Sequence, residues 1–195
     1  MINKENLQKE ENLNLIAEMI NIAKGNIQSE YIFFLIWGWV IALASLLHFS
    51  LIKFTNYEHP ESAWFIVIIG AVLSGWYGYK IGKNAKVKTY ADKIYGQIWF
   101  VFLLSYVIVL FFMKTINYNN ITPLILLLAG GSTYLSGIVI KFKPLIFGGI
   151  VLWAAAVITF LIPGEMQFLI SAVSIMVGYL IPGYMLKSKN KNQHV

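Results

Sequence analysis

Six apolar runs divide the chain, each about as long as the twenty residues a helix needs to cross hydrocarbon. They are Tyr31 to Phe54, Ala63 to Gly82, Ile94 to Met113, Ile121 to Ile140, Pro144 to Ile162 and Met166 to Leu186. Charged residues fall between the runs instead of forming stripes along them, the reverse of a water-soluble amphipathic helix. The pattern predicts an all-α membrane protein, a six-transmembrane-helix bundle. Short connections make sequential helices antiparallel neighbours in that bundle and leave no room for an extramembrane domain.

Ahead of the first run the period changes. Leu13, Ile16, Ala17, Ile20, Ala23 and Ile27 recur at helical spacing, with Asn14, Glu18, Asn21 and Gln28 opposite. This predicts an amphipathic helix over 12–28. The division is therefore 1–30, a cytoplasmic amphipathic segment; 31–186, the six-helix transmembrane domain; and 187–195, a short basic cytoplasmic tail. About thirty mixed polar residues precede the first run with no small-residue cleavage site after it, so that span is expected to be retained.

Lysine placement orients the bundle. Lys80, Lys83, Lys86, Lys88 and Lys93 crowd the second connection, Lys141 and Lys143 the fourth, and Lys187, Lys189 and Lys191 the tail. Basic residues in short loops stay on the cytoplasmic side, so both termini are expected inside (N-in/C-in), in an inner (cytoplasmic) membrane. The odd connections hold Lys53, Glu58, His59, Glu61, Lys114 and Glu165 and belong outside. Interfacial aromatics agree: Tyr31, Trp37 and Trp39 open span one, while Trp76, Tyr77 and Tyr79 close span two.

Composition then narrows the chemistry. With 58% apolar and 12% charged residues, the chain has too little polar surface to face water all round. It has no cysteine, hence no disulfide or thiolate metal site. All 15 basic residues are lysine, so a bidentate guanidinium grip on phosphate is unavailable to it. The net charge of +6 sits beside the spans, where topology already accounts for it, and no nucleic-acid partner is expected. Residues 1–30 carry five glutamates against three lysines. Anionic lipid repels that balance, so the apolar face of Leu13, Ile16, Ile20 and Ile27 is expected to cover protein; a helix lying on lipid through apolar area alone is the alternative.

Gly70, Ser74, Gly78 and Gly82 form a four-residue stripe in span two, where another helix backbone can approach closely. Ala129, Thr133 and Gly137 form a second in span four, and Ser174 with Gly178 a shorter one in span six. Such stripes serve packing within the bundle or between copies; enlarging Gly78 is expected to disturb the bundle more than enlarging Gly149. The phrase LIPG occurs at Leu161 to Gly164 and at Leu180 to Gly183 and predicts a helix end at each. Lys83 after Gly82 does not make a phosphate-binding loop, because Tyr77 and Asn84 stand where that motif needs glycine and a hydroxyl. Lys83, Lys86 and Lys88 read as topology determinants and as a candidate cytoplasmic contact surface.

His48, Glu58, His59 and Glu61 lack the paired-histidine spacing of a metal site, so no metal or other cofactor is expected. His48 is placed at the interface, within reach of headgroups or water. At mid-depth the polar residues are Ser105, Tyr106, Ser132, Thr133, Tyr134, Trp153, Thr159, Ser171 and Ser174. Tyr106, Tyr134 and Trp153 are candidates for lining a small cavity; the plainer expectation is that these groups bond to helix backbone.

The run LIAEMINIAKGNIQ, the following FFLIWGWV and the closing GYLIPGYMLK resemble an uncharacterised family of small six-helix bacterial integral membrane proteins with an amphipathic N-terminal helix. The resemblance implies the fold and a multi-pass place in the bacterial inner membrane, and supplies no catalytic residue. With no acid, base and nucleophile gathered at mid-depth, the function expected is non-enzymatic. It is that of a regulatory or scaffold protein presenting a cytoplasmic surface to a protein partner or a second copy, with membrane lipid around it. The alternative is a small permease or channel for a neutral or apolar solute.

Overall fold

A computed structural model describes residues 30–84 and 90–191. All regular structure among them is helical, and six helices are long and apolar enough to cross a membrane. We number these spans one to six: Tyr31–Phe54, Pro60–Lys83, Tyr90–Phe111, Tyr118–Val139, Lys143–Leu161 and Met166–Asn190. Spans two and four each begin with a short 3₁₀ turn, Pro60–Phe65 and Tyr118–Asn120. The predicted amphipathic helix lies outside the described residues.

The spans pack in chain order with one exception, and span one closes against span six. Span one runs antiparallel to span six: Trp39 meets Tyr184 at one end, and Lys53 pairs with Glu165 at the other. Span six packs on span five, span five on span four, and span four on span three, while span two leans on span one. Spans two and three, neighbours in sequence, make at most marginal contact among the described residues. The expectation of sequential neighbours holds for the other four pairs and is corrected for this one. Both spans are little covered by the rest of the bundle: only 6% of each apolar window in spans two and three is buried, against 39–56% in the other four. Lipid solvates such helices as well as protein does, so connection length alone does not decide a partner.

The tight core is built by glycine. A Cβ on Gly149 would stand 2.7 Å from Gly130 O and from the backbone N of Tyr134, and one on Gly137 2.6 Å from the backbone N of Ile146. Spans four and five thus touch backbone to backbone. Spans five and six meet the same way at Gly148 and Gly178. Large side chains fill the remainder: Phe34, Leu145, Leu152 and Leu186 are all but fully buried.

The two LIPG phrases fold differently. The first ends span five as expected, with Gly164 at φ +100°. The second ends nothing, because the helix runs on through Pro182 to Lys191. Proline has no N–H for the carbonyl four residues back, which is that of Gly178. The helix widens there into a π turn, Met176–Leu180, and the carbonyl of Gly178 reaches over Gly148. That carbonyl lies where a side chain on residue 148 would stand, and the span continues past it.

Antiparallel packing gives the bundle two ends. The basic end gathers Glu30, Lys80, Lys83, Asp92, Lys93, Lys141, Lys143, Lys187 and Lys189; the far end gathers Lys53, Glu61, Lys114 and Glu165.

Candidate functional site

Buried polar groups fall into three levels. At mid-depth three hydroxyls and one indole bond to helix backbone. Thr133 Oγ1 donates to Ala129 O at 2.7 Å, Thr159 Oγ1 to Ala155 O at 2.9 Å, and Ser174 Oγ to Ser171 O at 2.9 Å, each within its own helix. Tyr134 stacks on Trp153 with ring centroids 5.2 Å apart, and the Trp153 indole donates to Leu127 O. Tyr106 stacks instead on Phe102 of its own span. The three cavity candidates therefore divide into a pair and a single ring.

The far end holds a knot that the sequence conceals. His48 is 1% exposed, stacks on Phe168 with centroids 3.9 Å apart, and accepts at Nδ1 from the Trp64 indole at 2.9 Å. That bond fixes a neutral imidazole with its proton on Nε2. His48 is thus buried in protein, a correction to its expected place at the interface. The small residues one turn earlier, Ala44 and Ser45, admit the neighbouring helices that cover it. His59 stays apart in the loop, exposed, 3.1 Å from Glu61. Among the described residues no three histidines or acids gather as a metal site.

Gln167, buried beside this knot, donates both amide protons: to Asn119 O at 2.8 Å and to Thr159 O at 2.9 Å. Thr159 O belongs to the last turn of span five, where helix carbonyls have no partner of their own. One side chain therefore ties the start of span four, the end of span five and the start of span six.

No family model, curated protein or solved structure matches this chain.

The basic end carries the third level. Glu30, just ahead of span one, is held up to about 7 from an ordinary value of 4.5, first by burial and then by the charge of Asp92. A carboxyl raised on folding adds stability while it is protonated, and the gain is lost as pH rises from about 4.5 through about 7. We expect Glu30→Gln to melt with the parent at pH 5 and above it at pH 8. Melting curves in detergent across that range check this, and parallel curves would remove the assignment.

The small-residue stripe of span two has little against it. A Cβ on Gly70 would meet Val40 at 3.1 Å and one on Gly78 only the ring tip of Phe33 at 3.8 Å, while Gly82 has open space. Ser74 Oγ is covered without a hydrogen-bond partner. The expected ranking of Gly78 above Gly149 is reversed: close backbone approach lies on spans four, five and six, at the second and third stripes. Lys83 is exposed at the end of span two. Lys86, Lys88, Leu13, Ile16, Ile20 and Ile27 lie outside the described residues.

Proposed function

We propose that this chain is a non-enzymatic, multi-pass protein of the bacterial inner membrane, a regulatory or scaffold module with its basic end and both termini in the cytoplasm. The observation that carries the reading is the outward face of spans two and three, 6% buried in each window. Wide exposed faces of Ile68, Val72 and Trp76, and of Phe100, Leu104 and Val107, are available to another transmembrane helix. The connection between these spans bears the lysine cluster, so one partner can read both surfaces together. The acidic amphipathic segment before span one supplies a further contact of opposite charge. Positive-inside bias supports the orientation.

A photo-crosslinking residue at Val72 or Leu104, in native membranes, tests this against one at Val157 of span five, which is equally exposed. We expect one discrete heavier protein species from each of the first two positions and lipid adducts alone from the third. The same lipid pattern at all three would sink the reading.

A further inference from the structure

Span two is lightly held along most of its length. Its small-residue stripe meets span one through Gly70 against Val40, and Tyr77 stands edge-on to Phe33 with ring centroids 5.8 Å apart. Both contacts are apolar, and lipid replaces such contacts at little cost. Its start is held differently. In the turn Pro60–Phe65, Ala63 is buried and the Trp64 indole donates to His48 Nδ1 of span one at 2.9 Å. That bond is a polar tie, and its acceptor is a nitrogen that takes up protons.

A neutral imidazole accepts at one nitrogen, whereas an imidazolium donates at both. A proton on Nδ1 therefore sets two donors against each other and breaks the bond from Trp64. The rest of the seat survives the change. The His48 ring stacks on Phe168 with centroids 3.9 Å apart, and a cation is attracted to an aromatic face. The turn itself supplies a counter-charge: Glu61 precedes Trp64 by three residues, a spacing at which side chains of a 3₁₀ turn eclipse, and it lies within electrostatic reach of His48. A released indole is also well placed, since tryptophan is favoured at the membrane–water interface.

We infer that His48, Trp64 and Glu61 form an acid-operated latch at the far end of the bundle. A proton on His48 expels the Trp64 indole, exchanges it for the Glu61 carboxylate and lets the start of span two shift against span one. The other groups around it are few. His59 is exposed, 3.1 Å from Glu61; span six presents the uncharged Phe168, and its Glu165 is engaged by Lys53 of span one at 2.7 Å. The latch names a regulatory input for the module proposed above without resting on the partner surface. It is read on the isolated chain, and its failure leaves the crosslinking test untouched.

The full chain in lipid nanodiscs tests the latch. Nitrogen-15 NMR follows the His48 imidazole and the Trp64 indole from about pH 8 to about pH 4, a range that brackets the ordinary histidine value; the resonances are assigned by their loss in His48→Gln and Trp64→Phe. The chain has no cysteine, so spin labels on Phe65→Cys and Leu161→Cys, both exposed positions, report the distance from the start of span two to the end of span five. We expect His48 to pass to imidazolium in one step, the Trp64 resonance to shift with the same midpoint, and the label distance to change across it.

His48→Gln keeps an acceptor for the indole but takes up no proton, so both changes should vanish with Trp64 still docked. Glu61→Gln, at an exposed position where the fold is not at stake, should move the midpoint to lower pH, because the cation loses its counter-charge. His59→Gln should leave the transition in place. Melting curves confirm that the variants are folded. The latch is overturned if His48 stays neutral throughout, if the Trp64 resonance or the label distance ignores its titration, if the transition persists in His48→Gln or vanishes in His59→Gln, or if Glu61→Gln leaves the midpoint unmoved.

Discussion

Gly149→Leu should collapse the core while Gly78→Leu leaves it nearly intact. At Gly149 the first added carbon already meets Gly130 O, Tyr134 Cβ and Tyr134 N, all at 2.7 Å. Two of those are backbone and cannot swing aside, so spans four and five must separate. Overpacking of this kind costs about 3 kcal/mol or more, equivalent to a fall of roughly 6–12 °C in melting temperature for a chain of this size. At Gly78 the nearest atom is the movable tip of Phe33 at 3.8 Å, and the change should stay within about 0.5 kcal/mol. Paired thermal melts in one detergent decide the matter. Equal losses would mean that spans four and five do not touch as described.

Gln167→Met should produce the second-largest loss. Methionine keeps the length of the side chain and its burial but can donate nothing, so Asn119 O and Thr159 O both lose their donor. A buried carbonyl left without a partner costs about 1–3 kcal/mol in soluble proteins. Interhelical hydrogen bonds within membranes average nearer 0.6 kcal/mol. The two together should therefore lower stability by about 1–3 kcal/mol, with the damage at the far end, where three helix termini are tied. Hydrogen exchange reads the location: faster exchange near Asn119, Thr159 and Gln167, with residues near Gly148 unchanged. Unaltered melting and exchange would show that the amide does not bind these ends together.

Much of the scaffold was legible because hydrocarbon imposes a length on every helix that crosses it. The bounds of span one, Tyr31–Phe54, match the apolar run residue for residue, and the small residues of spans four and six sit at tight contacts. Neighbour order was legible for four of the five sequential pairs, but the separation of spans two and three and the pairing of one with six were not. In water a polar face tells which side of a helix looks outward, but in lipid an apolar side chain serves equally against protein and against solvent. The stripe from Gly70 to Gly82 shows the difficulty: its spacing permits close packing without naming a partner, and in this fold only Gly70 meets one closely. The second LIPG misled for a related reason. Pro182 does not end the helix here: a π turn precedes it, and the freed carbonyl of Gly178 lies against Gly148 of span five, where no side chain stands in its way. His48, Gln167 and Glu30 stayed hidden because each is a single polar residue whose partners lie far along the chain, as with the 48 residues between Gln167 and Asn119.

The pairing of span one with span six also sets the order in which the molecule can be completed. Trp39 and Tyr184 are 145 positions apart, and Lys53 and Glu165 are 112 apart. Synthesis runs from the amino terminus, so span one is made well before span six and must wait for it before their seam can close. Until then Gly38 and Ala42 face lipid or a transient attendant. Ring closure over so long a separation is slow, and a nascent chain halted before Met166 would display the unfilled seam to the insertion and quality-control machinery.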